Sequence, residues 1–380
     1  MYRLRILRND VSRLCYYGRE VKKMSDKVLM KGNEAIAEAA IRAGCRHYFG
    51  YPITPQTEVA AYMSKRMPKI GGTFLQAESE IAAINMVIGV SSTGKRVMTS
   101  SSSPGVSLKS EGISYLAGCD LPALVVNVQR GGPGLGGIQP SQSDYWQSTK
   151  GGGHGDYHNI VLAPASVQEM ADFVGLAFEL AFKYRNPAII LADGVIGQMM
   201  EKVVLPPAKA RRTDAEVIAQ CPWASTGKTK DRKPNIITSL ELRPEEMEKN
   251  NLRFQAKYRV IEENEVRFEE IDCEDAEYLI VAFGSMARIG QKAMELAREE
   301  GIKVGMLRPI TLWPFPTKAI AEYANKVKGM LVTELNAGQM VEDVRLAVNG
   351  RVKVEHFGRL GGIVPDPDEI VTALKEQLIK

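Results

Sequence analysis

Ala123-Leu124-Val125-Val126-Asn127-Val128 is the stretch that decides the fold of this chain of 380 residues. Apart from Asn127 it is apolar throughout, and an apolar run of this length is typical of a parallel strand buried on both faces. Helical periodicity precedes it at 106–116 and follows it at 166–183, and another apolar strand follows at 188–192. The alternation predicts an α/β fold in which helices cover both faces of a parallel sheet.

The alternation extends outward from this stretch and is interrupted once. Residues 206–262 are polar and mixed in charge, which indicates an extended connector with little core of its own. A second, smaller α/β unit begins near Glu277 with the apolar strand 278–283. The other expected elements of the first unit are a helix at 33–44 capped by Asn33, a strand at 47–51, helices at 57–67 and 78–92, and a strand at 96–99.

These boundaries divide the chain into four segments. We expect a basic extension outside the fold at 1–23, a first domain at 24–205, the connector at 206–262 and a second domain at 263–380. Residues 1–23 carry a net charge of +5, so the formal charge of +4 leaves about −1 for the remainder. We interpret 1–23 as a dispensable extension or a start placed too early, ahead of Met24. A mitochondrial-type presequence is the alternative, although such segments are usually rich in serine.

The composition excludes several classes of protein. A nearly neutral body gives no electrostatic reason to expect binding to nucleic acid or to an anionic membrane. The five cysteines are dispersed without a C-x-x-C pair, so we expect no iron–sulfur cluster and no metal site within this chain. Dispersed thiols are typical of a reducing cytoplasm, which is the expected location. No apolar run reaches the ~18 residues of a membrane span.

Two loops carry candidate ligand-binding groups. In Gly50-Tyr51-Pro52-Ile53-Thr54-Pro55, two prolines restrict the backbone and would hold the Thr54 hydroxyl rigidly, although a plain proline-stiffened turn explains the same pattern. Arg130 follows a strand and precedes a glycine-rich loop, a setting that suits a bidentate contact to a carboxylate. A surface arginine beside a flexible loop is the alternative. No Gly-Lys-Ser/Thr follows, so this is not a phosphate-binding P-loop.

Other polar groups have an ordinary structural explanation beside a chemical one. Glu78 and Glu80 lie at a predicted helix start, where the helix dipole favours acidic residues. Burial beside the apolar face of that helix would instead raise a carboxyl pKa and suit it to proton exchange. His154 and His158 are candidate ligands or proton carriers, or residues that order their glycine-rich loop. Gly358-Arg359-Leu360-Gly361-Gly362 lacks the spacing of a dinucleotide site.

Taken together, these segments resemble the alpha subunit of the 2-oxoacid:ferredoxin oxidoreductases. In the first domain the resemblance rests on four motifs in order: Tyr51-Pro52-Ile53-Thr54-Pro55, Glu78-Ser79-Glu80-Ile81-Ala82-Ala83, Gln129-Arg130-Gly131-Gly132-Pro133 and His154-Gly155-Asp156. In the second it rests on Gly284-Ser285, Leu307-Arg308-Pro309 and Glu334-Leu335-Asn336. The resemblance implies that 24–205 is the pyrimidine-side domain of a thiamine-diphosphate-binding fold and that 263–380 is a transketolase C-terminal-like domain.

The resemblance also implies an activity and residue roles. Such enzymes oxidatively decarboxylate a 2-oxoacid, transfer the acyl group to coenzyme A and reduce ferredoxin. Glu80 would hydrogen-bond the aminopyrimidine ring and drive the proton shift that activates it, with Pro52 and Ile53 beside the cofactor. Thr54 would contact the oxo or carboxylate oxygen of the substrate, and Arg130 would hold its carboxylate.

Missing motifs imply partner subunits. The family's diphosphate and magnesium site uses a Gly-Asp-Gly motif, which this chain lacks. The resemblance therefore implies that thiamine diphosphate is shared with a beta subunit that holds the diphosphate and Mg²⁺. It further implies a gamma subunit and a ferredoxin-like iron–sulfur subunit, with a 2-oxoacid and coenzyme A as substrates.

The loop Gly134–Tyr145 is closer to that of the branched-chain subunits, which favours 3-methyl-2-oxobutanoate as the substrate. Alternatives are the same reaction on 2-oxoglutarate or pyruvate, or a non-catalytic scaffold subunit of such a complex. A transketolase-like transferase, or a 2-oxoacid dehydrogenase component with another electron acceptor, is a further alternative.

Overall fold

Two main sheets organise the chain in the computed structural model, which describes residues 3–5, 27–228, 230 and 233–380. The strands are β1 Arg3–Arg5, β2 Val28–Lys31, β3 His47–Gly50, β4 Thr73–Gln76, β5 Val97–Ser101, β6 Leu124–Gln129, β7 Ile160–Leu162, β8 Ala188–Asp193, β9 Met200–Val203, β10 Phe268–Ile271, β11 Tyr278–Ala282, β12 Val304–Pro309, β13 Thr311–Trp313, β14 Gly329–Glu334 and β15 Lys353–Gly358.

The helices lie between the strands and cover the sheets. They are α1 Gly32–Arg42, α2 Thr57–Arg66, α3 Glu80–Ser92, α4 Ser103–Gly118, α5 Tyr145–Thr149, α6 Val167–Tyr184, α7 Gly194–Gln198, α8 Asp214–Gln220, α9 Pro244–Asn264, α10 Gly284–Glu299, α11 Thr317–Tyr323, α12 Met340–Val348 and α13 Pro367–Leu374. None of the helices in the described ranges is both long enough and apolar enough to cross a membrane.

The first sheet has seven strands in the order β13-β7-β8-β6-β5-β3-β4. All neighbours are parallel except β13, which runs antiparallel to β7. Every residue of β6 and β8 is buried, which is what a central strand covered on both faces requires. The apolar stretch at 123–128 is therefore confirmed as the centre of the fold.

The second sheet has six strands in the order β1-β10-β12-β11-β14-β15. Its core of β12, β11, β14 and β15 is parallel, and β10 joins it antiparallel to β12. The predicted α/β class is confirmed for both units. Strand β10 was not predicted, because two of its four residues are glutamates, Glu269 and Glu270.

Strand β13 joins the two units. It follows β12 of the second sheet directly in sequence, yet it pairs with β7 of the first, with Thr311 opposite Leu162. The indole of Trp313 stacks on the His158 ring with centroids 4.7 Å apart, and the Tyr258 ring meets it edge-on at 5.6 Å. The second half of the chain therefore completes the first sheet.

The region predicted as an extended connector contains two helices. Residues 206–262 include α8 and most of α9, a helix of 21 residues. Phe254, Tyr258 and Ile261 of α9 are buried, and they recur at the spacing of one helix face. The prediction of an extended segment was wrong over α8 and α9, and in α9 the many charged residues obscure this narrow apolar stripe.

The structure corrects two predictions at the amino end, although most of residues 1–23 lies outside the described residues. Asn33 does not cap the first helix: Lys31 occupies that position, and the Asn33 amide is buried against the loop before α2. Residues 1–23 were expected outside the fold, but Arg3–Arg5 pair antiparallel with Phe268–Glu270. The rest of that segment lies outside the described residues.

Candidate functional site

Four neighbouring strands, β6, β5, β3 and β4, end at one edge of the first sheet, where open α/β sheets bind their ligands. The loop after β3 carries Thr54, the segment after β4 leads into α3 at Glu80, and Arg130 follows β6 directly. The last residue of β5 is Ser101. The three catalytic candidates from the sequence therefore lie along the same edge.

The loop that holds Thr54 is fixed from inside the sheet by Gln56. The wholly buried Gln56 side chain donates through Nε2 to the Tyr51 carbonyl at 3.2 Å and accepts from Ser100 Oγ at 2.5 Å. Ser100 Oγ is in turn 2.7 Å from the Tyr48 hydroxyl. This chain of hydrogen bonds connects the Thr54 loop to β3 and β5, so the loop is rigid.

The same loop is also held from its outer side. Asn33 Nδ2 and Gln198 Nε2 both donate to the Pro55 carbonyl, at 2.7 and 3.1 Å. The side chain of Thr54 is exposed, as is Pro52, while Ile53 is half-buried. These bonds hold the backbone of the loop, while the exposed Thr54 hydroxyl is accessible to a ligand.

Arg130 reaches from β6 to the Thr54 loop. Its buried guanidinium donates through Nη1 to the Thr54 carbonyl at 2.9 Å and through Nη2 to the Leu135 carbonyl at 2.8 Å. A guanidinium has five N–H donors, so donors remain on each nitrogen, and the buried Nε has no partner among the described residues. Arg130 therefore ties two loops together and still presents N–H groups to an anion.

The backbone of Arg130 is fixed by a buried polar cluster of Ser103, Asn127 and Asp144. Ser103 Oγ accepts from the Arg130 backbone N–H at 3.0 Å and donates to Asp144 Oδ2 at 2.5 Å. Asn127 Nδ2 donates to the same oxygen at 2.9 Å. Burial raises the pKa of Asp144, and the two hydrogen bonds oppose that rise only in part. The cluster holds the start of α4 against the end of β6.

Glu80 occupies the first turn of α3. Ser79 caps this helix, its Oγ accepting from the Ala82 backbone N–H at 3.1 Å. The Glu80 side chain is only 6% exposed, and its carboxylate receives no hydrogen bond from another described residue. The carboxylate oxygens are therefore available to a donor from outside the chain.

Space for this carboxylate depends on Gly105 in α4. A Cβ at position 105 would lie 2.6 Å from Glu80 Oε1 and 2.2 Å from Ser101 Oγ. Ser101 Oγ and Ser102 Oγ are buried, and neither finds a partner among the described residues. The edge of the sheet around Glu80 therefore has several polar groups without a partner in the part of the chain that the structure describes.

Lys109 of α4 is a further group beside Glu80, and its side chain is fully buried. Its Nζ donates to the Glu80 backbone carbonyl at 3.4 Å. Burial lowers the pKa of Lys109 to about 8, while the negative charge of Glu80 acts in the opposite direction. Sequence reasoning missed Lys109, although it shares a helix face with the buried apolar residues Val106, Ile113 and Leu116.

The structure brings some predicted residues together and separates others. Thr54 and Arg130 are in contact, and Glu80 lies with Ser101, the last residue of β5, beside Gly105 on the same edge of the sheet. His154 is exposed on the surface. His158 lies in the aromatic cluster with Trp313, where burial lowers its pKa. The interpretation of the two histidines as loop-ordering residues fits His158 better than a role as ligand.

The carboxyl edge of the second sheet serves a different purpose. Gln142, in the loop after β6, donates through Nε2 to the Phe283 carbonyl at 2.8 Å and accepts from the Leu335 backbone N–H at 3.1 Å. Asn336 Nδ2 donates to the Gln142 carbonyl at 2.8 Å. The Arg130 loop of the first unit therefore docks on the strand ends of the second, which fixes it from behind.

Known families match almost the whole chain. Residues 38–265 match the family described as pyruvate flavodoxin/ferredoxin oxidoreductase, thiamine diphosphate-binding. Residues 276–370 match pyruvate:ferredoxin oxidoreductase core domain II.

Curated relatives match this chain over nearly their full length. The chain is 51% identical to the ketoisovalerate oxidoreductase subunit VorB of Methanothermobacter marburgensis, over 92% of this chain and 97% of that protein. It is 38% identical to the 2-oxoglutarate synthase subunit KorA of Methanocaldococcus jannaschii, over 91% of this chain and 98% of that one.

Solved structures share the architecture. A 2-oxoglutarate:ferredoxin oxidoreductase from Magnetococcus marinus, with 2-oxoglutarate, coenzyme A and succinyl-CoA bound, superposes with a TM-score of 0.79 at 31% identity. The match covers 93% of this chain and 66% of that one, so this chain spans just under two thirds of its length. A split-gene transketolase has a TM-score of 0.56 at 14% identity over 92% and 98% of the two chains, which is a likeness of fold alone.

Proposed function

Because this chain belongs to the thiamine diphosphate-binding pyruvate flavodoxin/ferredoxin oxidoreductase family, we propose that it is the catalytic alpha subunit of a CoA-acylating 2-oxoacid:ferredoxin oxidoreductase. The reaction converts a 2-oxoacid and coenzyme A to acyl-CoA and CO₂, and two electrons pass to ferredoxin. One observation carries the assignment at the site: Glu80, a largely buried side chain whose carboxylate has no donor among the described residues, lies on the same sheet edge as the Thr54–Arg130 pair.

The described residues fit the pyrimidine half of thiamine diphosphate. When bound, this cofactor supplies the electron sink that a decarboxylation needs. The Glu80 carboxylate would accept a hydrogen bond from the ring and hold a proton there, with Pro52 and Ile53 of the rigid loop beside it. The buried and unpartnered hydroxyls of Ser101 and Ser102 support the fit, because polar atoms of this kind are normally satisfied in a complete site.

Substrate binding is assigned to Arg130 and Thr54. The remaining N–H donors of Arg130 would take the carboxylate of the 2-oxoacid, and the exposed Thr54 hydroxyl would contact its oxo or carboxylate oxygen. Because the guanidinium already connects the Thr54 and Leu135 carbonyls, its orientation is set before substrate binds. Such preorganisation lowers the cost of reaching the reactive geometry.

The proposed substrate is 3-methyl-2-oxobutanoate. The loop 131–145 beside Arg130 contains no lysine, arginine or histidine, and it exposes the apolar side chains of Leu135 and Ile138. A second carboxylate, such as that of 2-oxoglutarate, would find no cation on this loop, whereas a branched apolar chain finds apolar surface. The 51% identity to a ketoisovalerate oxidoreductase subunit supports the same choice.

The proposed enzyme is a complex of several subunits. A beta subunit would hold the diphosphate and Mg²⁺, since the chain lacks a Gly-Asp-Gly motif. A gamma subunit and a ferredoxin-like iron–sulfur subunit would complete it and carry the electrons away. The four described cysteines are free thiols, which agrees with the cytoplasm as the proposed location.

Replacement of Glu80 by glutamine tests the proposal. In the complex assembled with its partner subunits, Glu80→Gln should lower the rate of 2-oxoacid-dependent ferredoxin reduction by about 10²- to 10⁴-fold, since glutamine cannot exchange the proton. The matched control is Glu78→Gln, an exposed carboxylate two residues away, which should retain the rate.

Two outcomes would contradict the proposal. A Glu80→Gln complex with nearly the wild-type rate would favour the non-catalytic scaffold. A kcat/KM for 2-oxoglutarate or pyruvate above that for 3-methyl-2-oxobutanoate would leave the reaction class intact and overturn the choice of substrate.

A further inference from the structure

Lys109 is a buried cation that the proposed roles do not use. Its side chain is fully buried in α4 on the face that carries Val106, Ile113 and Leu116. A buried ammonium is costly unless a charge or hydrogen bond compensates it. An apolar residue would pack at the same position without that cost, so the presence of lysine needs a reason.

Glu80 is the charged group that faces Lys109. It is the one titratable residue of α3, the helix that packs along α4, and β6 on the other side of α4 has none. Glu111 of α4 is exposed and bonded by the Tyr115 hydroxyl at 2.7 Å. The negative charge acting on the Lys109 ammonium comes from Glu80.

Other titratable groups near Glu80 are engaged elsewhere. Strands β3 and β5 pack against α3. The Tyr48 hydroxyl of β3 is bonded to Ser100, His47 lies at the opposite end of β3, and β5 carries no titratable side chain. Lys109 is therefore the cation positioned to act on the Glu80 carboxylate among the described residues of these elements.

We propose that Lys109 is a positioning residue for Glu80: its ammonium holds the first turn of α3 through the Glu80 carbonyl and stabilises the ionised Glu80 carboxylate in its buried position. The inference rests on the proposed function, because it assigns a reason for that ionised form. Burial alone favours a protonated carboxyl. A cation nearby keeps the carboxylate able to take a proton from a ligand, as the proposed role of Glu80 requires.

Two substitutions of Lys109 distinguish the effect of its charge from the effect of its packing. Lys109→Met keeps the length and the apolar stem of the side chain and removes the charge, while Lys109→Arg keeps the charge at every accessible pH. The exposed Glu111→Gln on the same helix is the control. All three are assembled with the partner subunits and assayed with 3-methyl-2-oxobutanoate, coenzyme A and a viologen dye as electron acceptor, from about pH 6 to about pH 9.

We expect Lys109→Met to lower kcat about tenfold at neutral pH and to move the acid limb of the kcat profile to higher pH, because the variant removes the positive charge beside the Glu80 side chain. KM for the 2-oxoacid should change little. Lys109→Arg should restore the position of the acid limb. Glu111→Gln should match the wild type.

The alkaline side gives a test that does not depend on the folding of Lys109→Met. Burial sets the pKa of Lys109 to about 8, so the wild-type rate should fall as pH rises through that value and Lys109 loses its charge. Lys109→Arg stays charged and should keep its rate to higher pH. Coincident alkaline limbs for these two proteins would overturn the proposal.

The remaining outcomes distinguish this inference from the proposed function. An acid limb of Lys109→Met at the wild-type position, together with a collapsed rate in Glu80→Gln, overturns the role of Lys109 alone. Equal losses in Lys109→Met and Lys109→Arg without any shift of the profile also overturn it, since packing then explains the effect. A wild-type rate in Glu80→Gln overturns the role of Glu80 itself.

Discussion

Glu80 and Glu334 are two buried glutamates, one at the carboxyl edge of each sheet, and their surroundings differ completely. The Glu334 carboxylate accepts from Asn336 Nδ2 at 2.9 Å and from the backbone N–H groups of Gln339, Met340 and Val341 at the start of α12. The Glu80 carboxylate has no such donor among the described residues. A buried carboxylate that accepts hydrogen bonds from its own chain stabilises the fold. A carboxylate that receives none is available to a ligand.

A third buried glutamate, Glu265, completes the comparison. It follows α9 and is paired with cations, with Lys183 Nζ at 2.6 Å and Arg267 Nη2 at 2.9 Å. Burial raises its pKa, but the hydrogen bonds from Lys183 and Tyr184 and the charge of Arg267 outweigh that effect and hold the pKa below its ordinary value. For Glu334, burial dominates and the pKa is raised despite four donors.

The largest expected effect comes from disturbing the free carboxylate. Gly105→Ala places a Cβ against Glu80 Oε1 and Ser101 Oγ, so the Glu80 side chain must move. We expect the rate of the assembled complex to fall about 10²-fold, the usual cost of a displacement near 1 Å at a reacting group.

The control is Gly89→Ala in α3, where a Cβ meets no atom within 4 Å. It should keep the activity and leave the melting temperature equal or slightly higher, because alanine favours a helix. Equal activity in the two variants would show that the position of Glu80 is unimportant.

A smaller effect is expected where the carboxylate is already satisfied. Glu334→Gln places an NH₂ group against N–H donors, and the donors left unpaired should cost about 1–3 kcal/mol of unfolding free energy. Thermal unfolding of the purified protein measures the change. Glu342→Gln, exposed in the first turn of the same helix, should be nearly neutral. An unchanged melting temperature for Glu334→Gln would show that the hydrogen bonds of the Glu334 carboxylate do not stabilise the fold.

The smallest effect is expected at Glu265, and it depends on pH. Because the folded-state pKa lies below the unfolded value, its stabilisation is present above the unfolded pKa and is lost as pH falls through the folded pKa. Glu265→Gln should therefore lower the unfolding free energy by about 1 kcal/mol at neutral pH. The difference from wild type should shrink in acid, below about pH 4. A difference independent of pH would mean that packing, not charge, is responsible.

Some strands of the fold could be predicted from the sequence and others could not. The central strands were predictable because every residue of β6 and β8 is buried, which makes both strands predominantly apolar. Strands β7 and β13 have three residues each and carry too little periodicity. The pairing of β13 with the first sheet depends on contacts between distant parts of the chain, which no local pattern encodes.

The sequence indicated the candidate residues whose side-chain type suggests a chemical role, namely Thr54, Glu80 and Arg130. Gly105 was not, because its role is the space it leaves for a side chain from another helix. Lys109 was overlooked because lysine is normally exposed, although its position on an apolar helix face was a usable signal. Asn33 was misassigned because asparagine is a common helix cap, whereas its amide here bonds the Pro55 carbonyl.

Strand β13 has a consequence for how the protein is made. The first sheet needs Thr311–Trp313 as its outer strand beyond β7, so a ribosome must synthesise more than 100 residues after β8 before that sheet can close. Until then β7 is an open edge, which can pair with another chain. A truncated chain that ends within the α9 region should therefore aggregate, and a split of the gene at that point would separate a sheet from its last strand.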